Sequence, residues 1–326
     1  MSRRTVIARS ATGPNVVALG GGHGLAATLR ALRRVTDQIT AVVGVADDGG
    51  SSGRLREEFG VLPPGDLRMA LAALCGDDTW GRTWSDVIQH RFGGEGELAG
   101  HSVGNLLITA LWEETHDTVI GLDWLGALLE AQGRVLPCST VPLEIVADVR
   151  GLESLNASHI QIVHGQVAVA TTEGTVERIR LEPVNPPACP EAVAAVLAAE
   201  VVILGPGSWF TSVLPHLLIP ELADAIVSSP ARKILVMNLD PHRDQETAGV
   251  PARAQLDMLR ELEPRLVLDA VIADPRHIGD TDELQAGCGG AELLLSGVGH
   301  THPSRAGTHD PDRLAVAFGT VFESLR

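Results

Sequence analysis

The stretch ADDGGSSGRLREEFGVLPPGDLR at residues 46–68 carries more polar chemistry than a connection between a strand and a helix requires. Such connections usually take about 2–6 residues. Here Asp47 and Asp48 stand side by side, and serines, glycines and arginines follow them. Carboxylates can hold ribose or sugar hydroxyls or a Mg²⁺ ion, while hydroxyl and backbone N–H groups can hold an anion. The stretch therefore predicts a ligand site.

A structural role is the alternative for the same residues. The aspartates can form turns, and the arginines can be solvated charges paired with the glutamates that follow them. We also expect the last aspartate of the stretch to cap the helix DLRMALAALC. Besides the two aspartates, the predicted site residues of this stretch are Ser51, Ser52, Arg54, Asp66 and Arg68.

A first glycine loop, GGGHG at residues 20–24, separates the β-rich run NVVAL from the helical pattern LAATLRALRRV. Glycine lets the backbone approach an anion, and a helix N-terminus supplies partly positive N–H groups. GHGLAA also satisfies the dinucleotide fingerprint G-x-G-x-x-A, whereas a tight turn is the structural alternative. We predict ligand contacts for Gly21, Gly22, His23 and Gly24.

A second glycine loop, LGPGSWFTS at residues 204–212, again follows an apolar strand. Its hydroxyl and N–H groups can bind a pyrophosphate, or its first serine can cap the following helix; a cap at an anion site does both. The predicted ligand residues of this loop are Gly205, Pro206, Gly207, Ser208, Thr211 and Ser212.

Two asparagines are candidates for orienting a base or a sugar. Asn105 lies in GHSVGN at a predicted helix start, where capping is the alternative, and Asn238 lies near the end of the strand KILVMNL. The histidines show no metal-binding spacing before HTH at residues 300–302, which is more typical of a surface loop. Because the chain also has no nucleophile elbow or Cys/His signature, we predict neither a metal ligand nor a catalytic residue.

Strand and helix patterns alternate along most of the chain and predict an α/β fold. The expected architecture is a Rossmann-like, mostly parallel sheet with helices on both faces and a small antiparallel β insertion at about residues 135–184. Residues 1–14 read as a flexible leader, and residues 15–326 as a single domain. Gly133 is expected to cap the helix WLGALLEAQ.

Composition excludes some partners. The formal charge is −16, with 41 acidic against 25 basic residues, which argues against a nucleic-acid partner. The four cysteines lie far apart in the sequence, which favours a reduced, cytoplasmic compartment. No signal-peptide pattern and no apolar run long enough for a bilayer is found, so we expect no membrane insertion. We expect a homo-oligomer paired through apolar helices.

Four motifs together resemble one family. GGGHGL, the 46–68 stretch, ELAGHSVGNLLITAL and LGPGSWFTSVLPHLL follow one another as in the gluconeogenesis factor (YvcK-like) family, whose relatives include the CofD-like 2-phospholactate transferases. The resemblance covers roughly residues 15–325, and the DDGGSSGRLREEFGxLPPGD pattern is highly specific.

The resemblance implies a Rossmann-like, cytosolic bacterial protein that binds UDP-sugars such as UDP-N-acetylglucosamine. It also implies a role in cell shape and peptidoglycan synthesis during gluconeogenic growth, with a cell-wall enzyme or a regulatory protein as partner. No reaction is established for this branch of the family. Whether Mg²⁺ binds together with the UDP-sugar is left open by the sequence.

The sequence departs from the family pattern at three places. His23 stands where the first loop usually has Thr, and NLDPHRDQET replaces NLMTQPGET, with Asn238, Glu246 and Thr247 still matching. Thr308 stands where Arg is expected, so Arg305 is the predicted substitute.

The transferases share aspartates at the positions of Asp47, Asp48 and Asp66. Their S-P-D-L-D-T type run is PPGDLR here, so their deazaflavin and guanine-nucleotide chemistry is not carried over. Three hypotheses remain, namely a nucleotide-sugar-binding regulator, a Mg²⁺-dependent transferase and an NAD-binding enzyme. We favour the regulator because the sequence offers no evident nucleophile or tuned base.

Overall fold

A parallel sheet of seven strands forms the centre of the protein in the computed structural model, which describes residues 13–152, 159–239 and 250–324. Every pair of neighbouring strands in this sheet runs parallel, as expected for strands buried on both faces. Its strands are β1 Val16–Gly20, β2 Ile39–Val43, β3 Arg134–Pro137, β7 Val201–Leu204, β8 Arg232–Val236, β9 Ala270–Ala273 and β10 Glu292–Leu295.

The strand order places a reversal point next to β1. The sheet runs β10-β9-β8-β7-β1-β2-β3, so the chain first builds outward from β1 through β2 and later returns to build outward on the other side through β7. In open α/β sheets, ligands bind beyond the carboxyl ends of the strands at such a point. The topology therefore brings both glycine loops to one edge.

Helices surround this sheet, and the prediction of an α/β fold is confirmed. In α1, the apolar residues Leu25, Leu29 and Leu32 are spaced for one helical face and are fully buried. The helices are α1 Gly22–Leu32, α2 Gly50–Phe59, α3 Gly65–Leu74, α4 Thr79–Gln89, α5 Val103–Thr115, α6 Thr118–Leu128, α7 Gln166–Ala170, α8 Pro190–Ala198, α9 Pro220–Ser228, α10 Ala252–Leu262, α11 Thr281–Gly287 and α12 Pro311–Ser324.

A small antiparallel sheet forms the predicted β insertion. It consists of β4 Glu144–Arg150 between β5 Ile160–His164 and β6 Thr175–Glu182. In the sequence, α7 connects β5 to β6. The predicted start of the insertion at residue 135 is wrong, because β3 pairs in parallel with β2 in the main sheet. Alternation of short apolar runs could not reveal which sheet this strand joins.

Two local predictions are also corrected. The 46–68 stretch is not a continuous loop, because α2 occupies its middle; burial of Ser51, Ser52 and Leu55 holds this glycine-rich helix in place. Gly133 does not cap α6, which ends at Leu128. A Cβ at Gly133 would lie 2.7 Å from the Ile39 carbonyl oxygen, so this glycine serves close contact with β2 instead.

The core consists mainly of Ala, Val, Leu and Ile, and all four cysteines are buried and free. Over the described part of the chain, no single helix is long and apolar enough to cross a membrane; only the bent pair Trp209–Leu218 with Pro220–Ser228 reaches the required length and composition. The predicted leader falls almost wholly outside the described residues, as does the altered segment after Asn238 with Glu246 and Thr247.

Candidate functional site

An open cleft of about 1170 Å³ lies beyond the carboxyl ends of β1 and β7. Its size is ample for a ligand larger than a single nucleotide. The predicted site residues that line it are Gly21, Gly22, His23, Gly24, Asp47, Asp66, Pro206, Gly207, Ser208, Thr211, Ser212, Asn238 and Arg305. Those that do not line it are Asp48, Ser51, Ser52, Arg54, Arg68, Asn105 and Gly205.

The first glycine loop forms one wall and opens directly into α1. Gly22 has a φ of +56°, a conformation that favours glycine, and a Cβ at Gly21 would lie 2.5 Å from an Asp66 carboxylate oxygen. A Cβ at Gly24 would collide with the Pro206 carbonyl group. Glycines therefore allow the N-terminus of α1 to approach the second loop, with backbone N–H groups directed to the cleft.

The second glycine loop is held by a reciprocal pair of hydrogen bonds. The Gly207 amide donates to Asn238 Oδ1 at 3.0 Å, and Asn238 Nδ2 donates to the Gly207 carbonyl at 2.8 Å. Ser208 precedes the π-helical turn Trp209–Val213 but makes no capping hydrogen bond with its side chain. Asn238 thus fixes the loop as well as lining the cleft.

Two carboxylates, Asp47 and Asp66, lie in the cleft wall between the loops. The predicted capping role of Asp66 is wrong, because α3 begins after Pro64 and Asp66 lies within its first turn. The Asp66 carboxylate accepts a hydrogen bond from the Gly22 amide instead, which links α3 to α1. Burial, reinforced by the negative charge of Asp47, raises the pKa of Asp66 to about 7.

Asp48 is absent from the cleft lining and holds the short helix α7 of the β insertion. Its Oδ1 accepts a hydrogen bond from the Val167 amide at 3.0 Å, at the start of α7. Because Gln166 and Val167 line the cleft, Asp48 positions a wall rather than forming one. The two adjacent aspartates therefore have different roles, although the sequence presents them as a pair.

The other predicted polar residues form a buried network behind the cleft. Asn105 Nδ2 donates to Ser51 Oγ at 3.0 Å, and Arg68 Nε donates to Asn105 Oδ1 at 2.9 Å. Ser51 Oγ lies 3.0 Å from His101 Nδ1. Arg54 is turned outward and donates to the Ala99 carbonyl at 2.8 Å. This network braces α2, α3 and α5 against one another.

Arg30 is the main cleft residue that the sequence analysis missed. It follows His23 and Ala27 on α1 at a spacing of i, i+4 and i+7, so one helical face lines the cleft. This helical spacing is the feature of the sequence from which the role of Arg30 could have been predicted. Further unpredicted lining residues are Gln166, Val167, Ala170, Thr171, Leu239, His300, Gly307, Thr308, His309 and Pro311.

Two guanidinium groups, of Arg30 and Arg305, place positive charge in the cleft beside its two carboxylates. Partial burial, followed by the charges of Arg33 and Arg305, lowers the pKa of Arg30 from its ordinary value. Within residues 13–152, 159–239 and 250–324, neither Arg30 nor Arg305 forms an ion pair shorter than 4.0 Å with a carboxylate. Two guanidinium groups without a direct ion pair, near a glycine cradle, favour an anionic ligand.

Several groups in the protein are unsuited to nucleophilic or acid–base chemistry. Burial raises the pKa of Cys138 to about 12 and that of Cys75 to about 11. His309 lines the cleft, but burial lowers its pKa to about 4, and its Nε2 lies 3.2 Å from the Met237 carbonyl oxygen. Burial instead brings the pKa of Asp66 close to neutral pH, where a carboxyl group can exchange a proton.

A trio of potential metal ligands lies outside the cleft, on the small sheet. Ligand atoms of Glu144, His164 and Glu182 lie within 4.8 Å of one another. They come from three different strands, so no local spacing in the sequence could show them. The group is largely solvent-exposed, and an exposed group of this kind does not by itself establish a metal site.

Comparison with known proteins identifies the family. The profile of the family "2-phospho-L-lactate transferase CofD" matches residues 16–286. The chain belongs to the CofD family. This CofD-family chain is 50% identical over 308 residues to a putative gluconeogenesis factor of Mycobacterium tuberculosis H37Rv, covering 94% of this chain and 90% of the relative. It is 49% identical to the corresponding protein of Mycobacterium leprae, covering 94% and 86%.

A solved relative supports the fold of this CofD-family chain. A protein of the UPF0052 family from Bacillus halodurans superimposes with a TM-score of 0.82 at 30% sequence identity, covering 94% of this chain and 99% of that one. The resemblance to the gluconeogenesis factor family that the four motifs indicated is thereby confirmed.

Proposed function

We propose that this protein is a gluconeogenesis factor that binds a nucleotide diphosphate sugar, of the UDP-N-acetylglucosamine type, in the cleft between its two glycine loops. Binding regulates a partner, and the protein does not need to turn the ligand over. The proposal joins the names of the similar proteins to the chemistry of the cleft.

One observation carries the proposal. The protein has a charge of −16, yet the cleft combines a helix N-terminus, a glycine loop and the cations Arg30 and Arg305. Backbone N–H groups and guanidinium groups are the partners that a diphosphate prefers. Local positive charge of this kind counteracts the repulsion that an acidic protein otherwise exerts on an anion.

The remaining lining residues suit the uncharged parts of such a ligand. Asp47 and Asp66 can accept hydrogen bonds from ribose or sugar hydroxyls, and the same oxygen pair has the chemistry that Mg²⁺ requires. Gln166 also lines the cleft, and its Oε1 has no hydrogen-bond partner among the described residues. It can therefore meet a donor on the base or on an N-acetyl group.

A transferase is the second candidate function. Asp66, with a pKa of about 7, is poised to accept a proton near neutral pH, as a general base must. Membership of a family named for 2-phospho-L-lactate transferase also favours this candidate. The NAD-binding enzyme rests only on the GHGLAA fingerprint.

We propose a cellular role that is consistent with a nucleotide-sugar-binding regulator. The protein acts in the cytoplasm, and the ligand-bound form acts on a cell-wall enzyme or a regulatory protein. Through this partner it supports cell shape and peptidoglycan synthesis when carbon enters through gluconeogenesis.

Calorimetric titration tests the function directly. We expect UDP-N-acetylglucosamine or UDP-glucose to bind more tightly than GDP or NAD, with and without Mg²⁺, and to be recovered unchanged. Arg30→Ala should weaken binding about 10- to 100-fold, because a charge-assisted hydrogen bond contributes about 1.5–3 kcal/mol.

Arg34→Ala is the matched control. Arg34 lies just beyond the end of α1 and pairs with Asp312 at 2.7 Å outside the cleft, so its loss should leave the affinity unchanged. Tight binding of GDP or NAD without UDP-sugar binding would contradict the proposal. Consumption of the nucleotide in the presence of Mg²⁺ and an acceptor, followed by ³¹P NMR, would favour the transferase.

A further inference from the structure

Two of the four buried cysteines lie opposite each other where the β insertion joins the main domain. The insertion leaves the main sheet after β3 and returns just before α8, and its two stems pair in a short antiparallel bridge between Ser139 and Ala188. The next residue outward on each stem is a cysteine, Cys138 on one and Cys189 on the other. We call these four residues the neck of the insertion.

Backbone hydrogen bonds fix the separation of the two cysteines. The Cys189 amide donates to the Cys138 carbonyl at 3.2 Å, and the Cys138 amide donates to the Val43 carbonyl at the end of β2 at 2.8 Å. Residues directly opposite each other in an antiparallel pair have Cα atoms about 4.5–5.5 Å apart. A disulfide bond spans Cα separations of roughly 4.4–6.8 Å. The backbone of the reduced protein therefore already has the spacing that a disulfide requires.

The side chains of the two cysteines extend to the same side of the bridge, as those of opposite residues do. Burial raises the pKa of Cys138 to about 12, and negative charge on Cys189 acts in the same direction, so the two sulfur atoms are near enough to interact. The other two cysteines make local contacts. Cys75 Sγ donates to the carbonyl of Leu71, and Cys288 Sγ donates to that of Leu284, each one helical turn earlier.

Cys189 is the thiol of the pair that lies next to solvent. Its Sγ donates to Glu191 Oε2 at 3.3 Å, and both Pro190 and Glu191 are exposed at the start of α8. Burial raises the pKa of Cys189 to about 11, whereas the backbone amides of Ala192 and Glu191 act in the opposite direction. Local opening of this one turn therefore exposes the sulfur and gives its proton a path to solvent.

We propose that Cys138 and Cys189 form a reversible disulfide that fastens the neck of the β insertion under oxidising conditions. The oxidant is a low-molecular-weight disulfide of the oxidised glutathione class. The Cys189 thiolate attacks one sulfur of this molecule, its S–S bond breaks, and one small thiol leaves with a proton. Cys138 then attacks the Cys189 sulfur of the mixed disulfide and releases the second small thiol. The protein loses two electrons and two protons, which the two small thiols carry away.

Proximity makes the second step feasible despite the burial of Cys138. A pKa of about 12, against an ordinary value of 9.0, keeps its thiolate fraction roughly 1000-fold below that of an ordinary cysteine. Well-oriented neighbouring groups react with effective concentrations of about 10⁵ M or more. Because this gain exceeds the loss, Cys138 can close the bond although it is a poor nucleophile towards a free molecule.

The bond acts on the cleft through α7. The insertion carries this helix, and its residues Gln166 and Val167 line the cleft. A covalent link between Cys138 and Cys189 closes the insertion into a loop and limits the movement of its two stems. Local opening of α7 should then be rarer in the oxidised protein, whichever ligand the cleft binds.

Incubation of the folded, full-length protein with excess oxidised glutathione tests the site. After free thiols are blocked with N-ethylmaleimide, mass spectrometry without reductant should show the peptides of Cys138 and Cys189 linked, with Cys75 and Cys288 blocked. Dithiothreitol should restore all four thiols. Cys138→Ser should stop at a glutathione adduct on Cys189, whereas Cys189→Ser should leave Cys138 unmodified.

Cys288→Ser is the matched control, because this buried cysteine lies outside the neck, and it should form the same link as the wild type. In the linked protein, hydrogen–deuterium exchange at residues 166–171 should slow several-fold, and the melting temperature should rise by roughly 5 °C. The proposal is overturned if the folded wild type keeps four free thiols after a day with the oxidant, or if the link joins other cysteines. Unchanged exchange at residues 166–171 in the linked protein overturns the effect on the cleft.

Discussion

The Asp66 carboxyl group couples the cleft to proton concentration. It accepts a hydrogen bond from Gly22 and lies near the negative charge of Asp47, and burial together with that charge raises its pKa to about 7. The folded protein therefore holds a proton on Asp66 at a pH where the unfolded chain has released it. Between the ordinary pKa of 3.8 and about 7, the contribution of Asp66 to stability must fall as the pH rises.

Asp66→Asn should remove this loss, because Asn carries no charge and keeps an oxygen that can accept from Gly22. We expect the variant to gain stability relative to the wild type between pH 5 and pH 8, by on the order of 1–3 kcal/mol for a partly buried group. Urea unfolding at several pH values measures the difference. Equal pH dependence in both proteins would show that Asp66 ionises normally.

At the scale of elements, the cleft depends on close contact between α1 and the second glycine loop. Gly24 faces the Pro206 carbonyl group so closely that a Cβ would overlap it, and Asn238 fixes Gly207 on the other side. The two anion-binding loops are thus packed into one unit. The two loops can lie this close together because residue 24 is a glycine and has no Cβ.

Gly24→Ala should force α1 and the second loop apart. Overpacking of this kind typically costs about 1–3 kcal/mol, so we expect a lower melting temperature together with weaker ligand binding. Gly319→Ala is the control inside α12, where a Cβ would meet nothing within 4 Å; it should be neutral or stabilising by up to about 1 kcal/mol. Thermal melts of both variants measure the change in stability, and calorimetry measures the change in ligand affinity. Unchanged binding in Gly24→Ala would show that the spacing of the loops is adjustable.

The short helix α7 is a second element whose position matters to the cleft. Val167 lines the cleft, and its amide donates to Asp48. Asp48→Ala should therefore loosen α7, raising amide exchange at residues 166–171 by about tenfold and weakening ligand binding by a smaller factor, since a lost cap costs about 1 kcal/mol.

Asp48→Asn keeps an acceptor for Val167 and serves as the control, with exchange close to that of the wild type. Hydrogen–deuterium exchange by mass spectrometry separates the two roles of this carboxylate. If binding falls in Asp48→Ala while exchange at α7 stays the same, Asp48 touches the ligand directly and does not act through α7.

For the whole molecule, burial lowers the pKa of three histidines, His101, His216 and His309, and this makes stability sensitive to acid. Burial lowers the pKa of His216 to about 4, and its ring lies between the carbonyl groups of Val42 and Val213. Burial lowers the pKa of His309 to about 4 as well. The unfolded chain takes up these protons at about pH 6.5, so stability must be lost as the pH falls from about 6.5 towards 4.

His216→Gln should make stability less dependent on pH in this window, by on the order of 3 kcal/mol over the full range, although the variant is less stable at pH 7.5. His302→Gln, at an exposed histidine, is the control and should keep the wild-type slope. Because Asp66 acts with the opposite sign in the same window, unfolding free energies of the variants are compared with one another. Identical slopes in all three proteins would exclude a role for His216.

The sequence by itself determined the α/β alternation and the two glycine loops. Both signals are local, because periodicity reports the buried face of an element and glycine reports a backbone that must approach something closely. The position of both loops at one sheet edge followed from the rule for parallel strands. The four motifs also identified the family correctly, although the ligand remains a prediction.

Only the tertiary structure decided which polar residues face the cleft. Asp47 and Asp48 are neighbours in sequence, yet one lines the cleft and the other anchors α7. Arg68 and Asn105 are buried and absent from its lining, whereas Arg30 and Arg305, far apart in the sequence, both line it. Such pairings depend on the packing of distant segments, and no local pattern of residues encodes the distance between them.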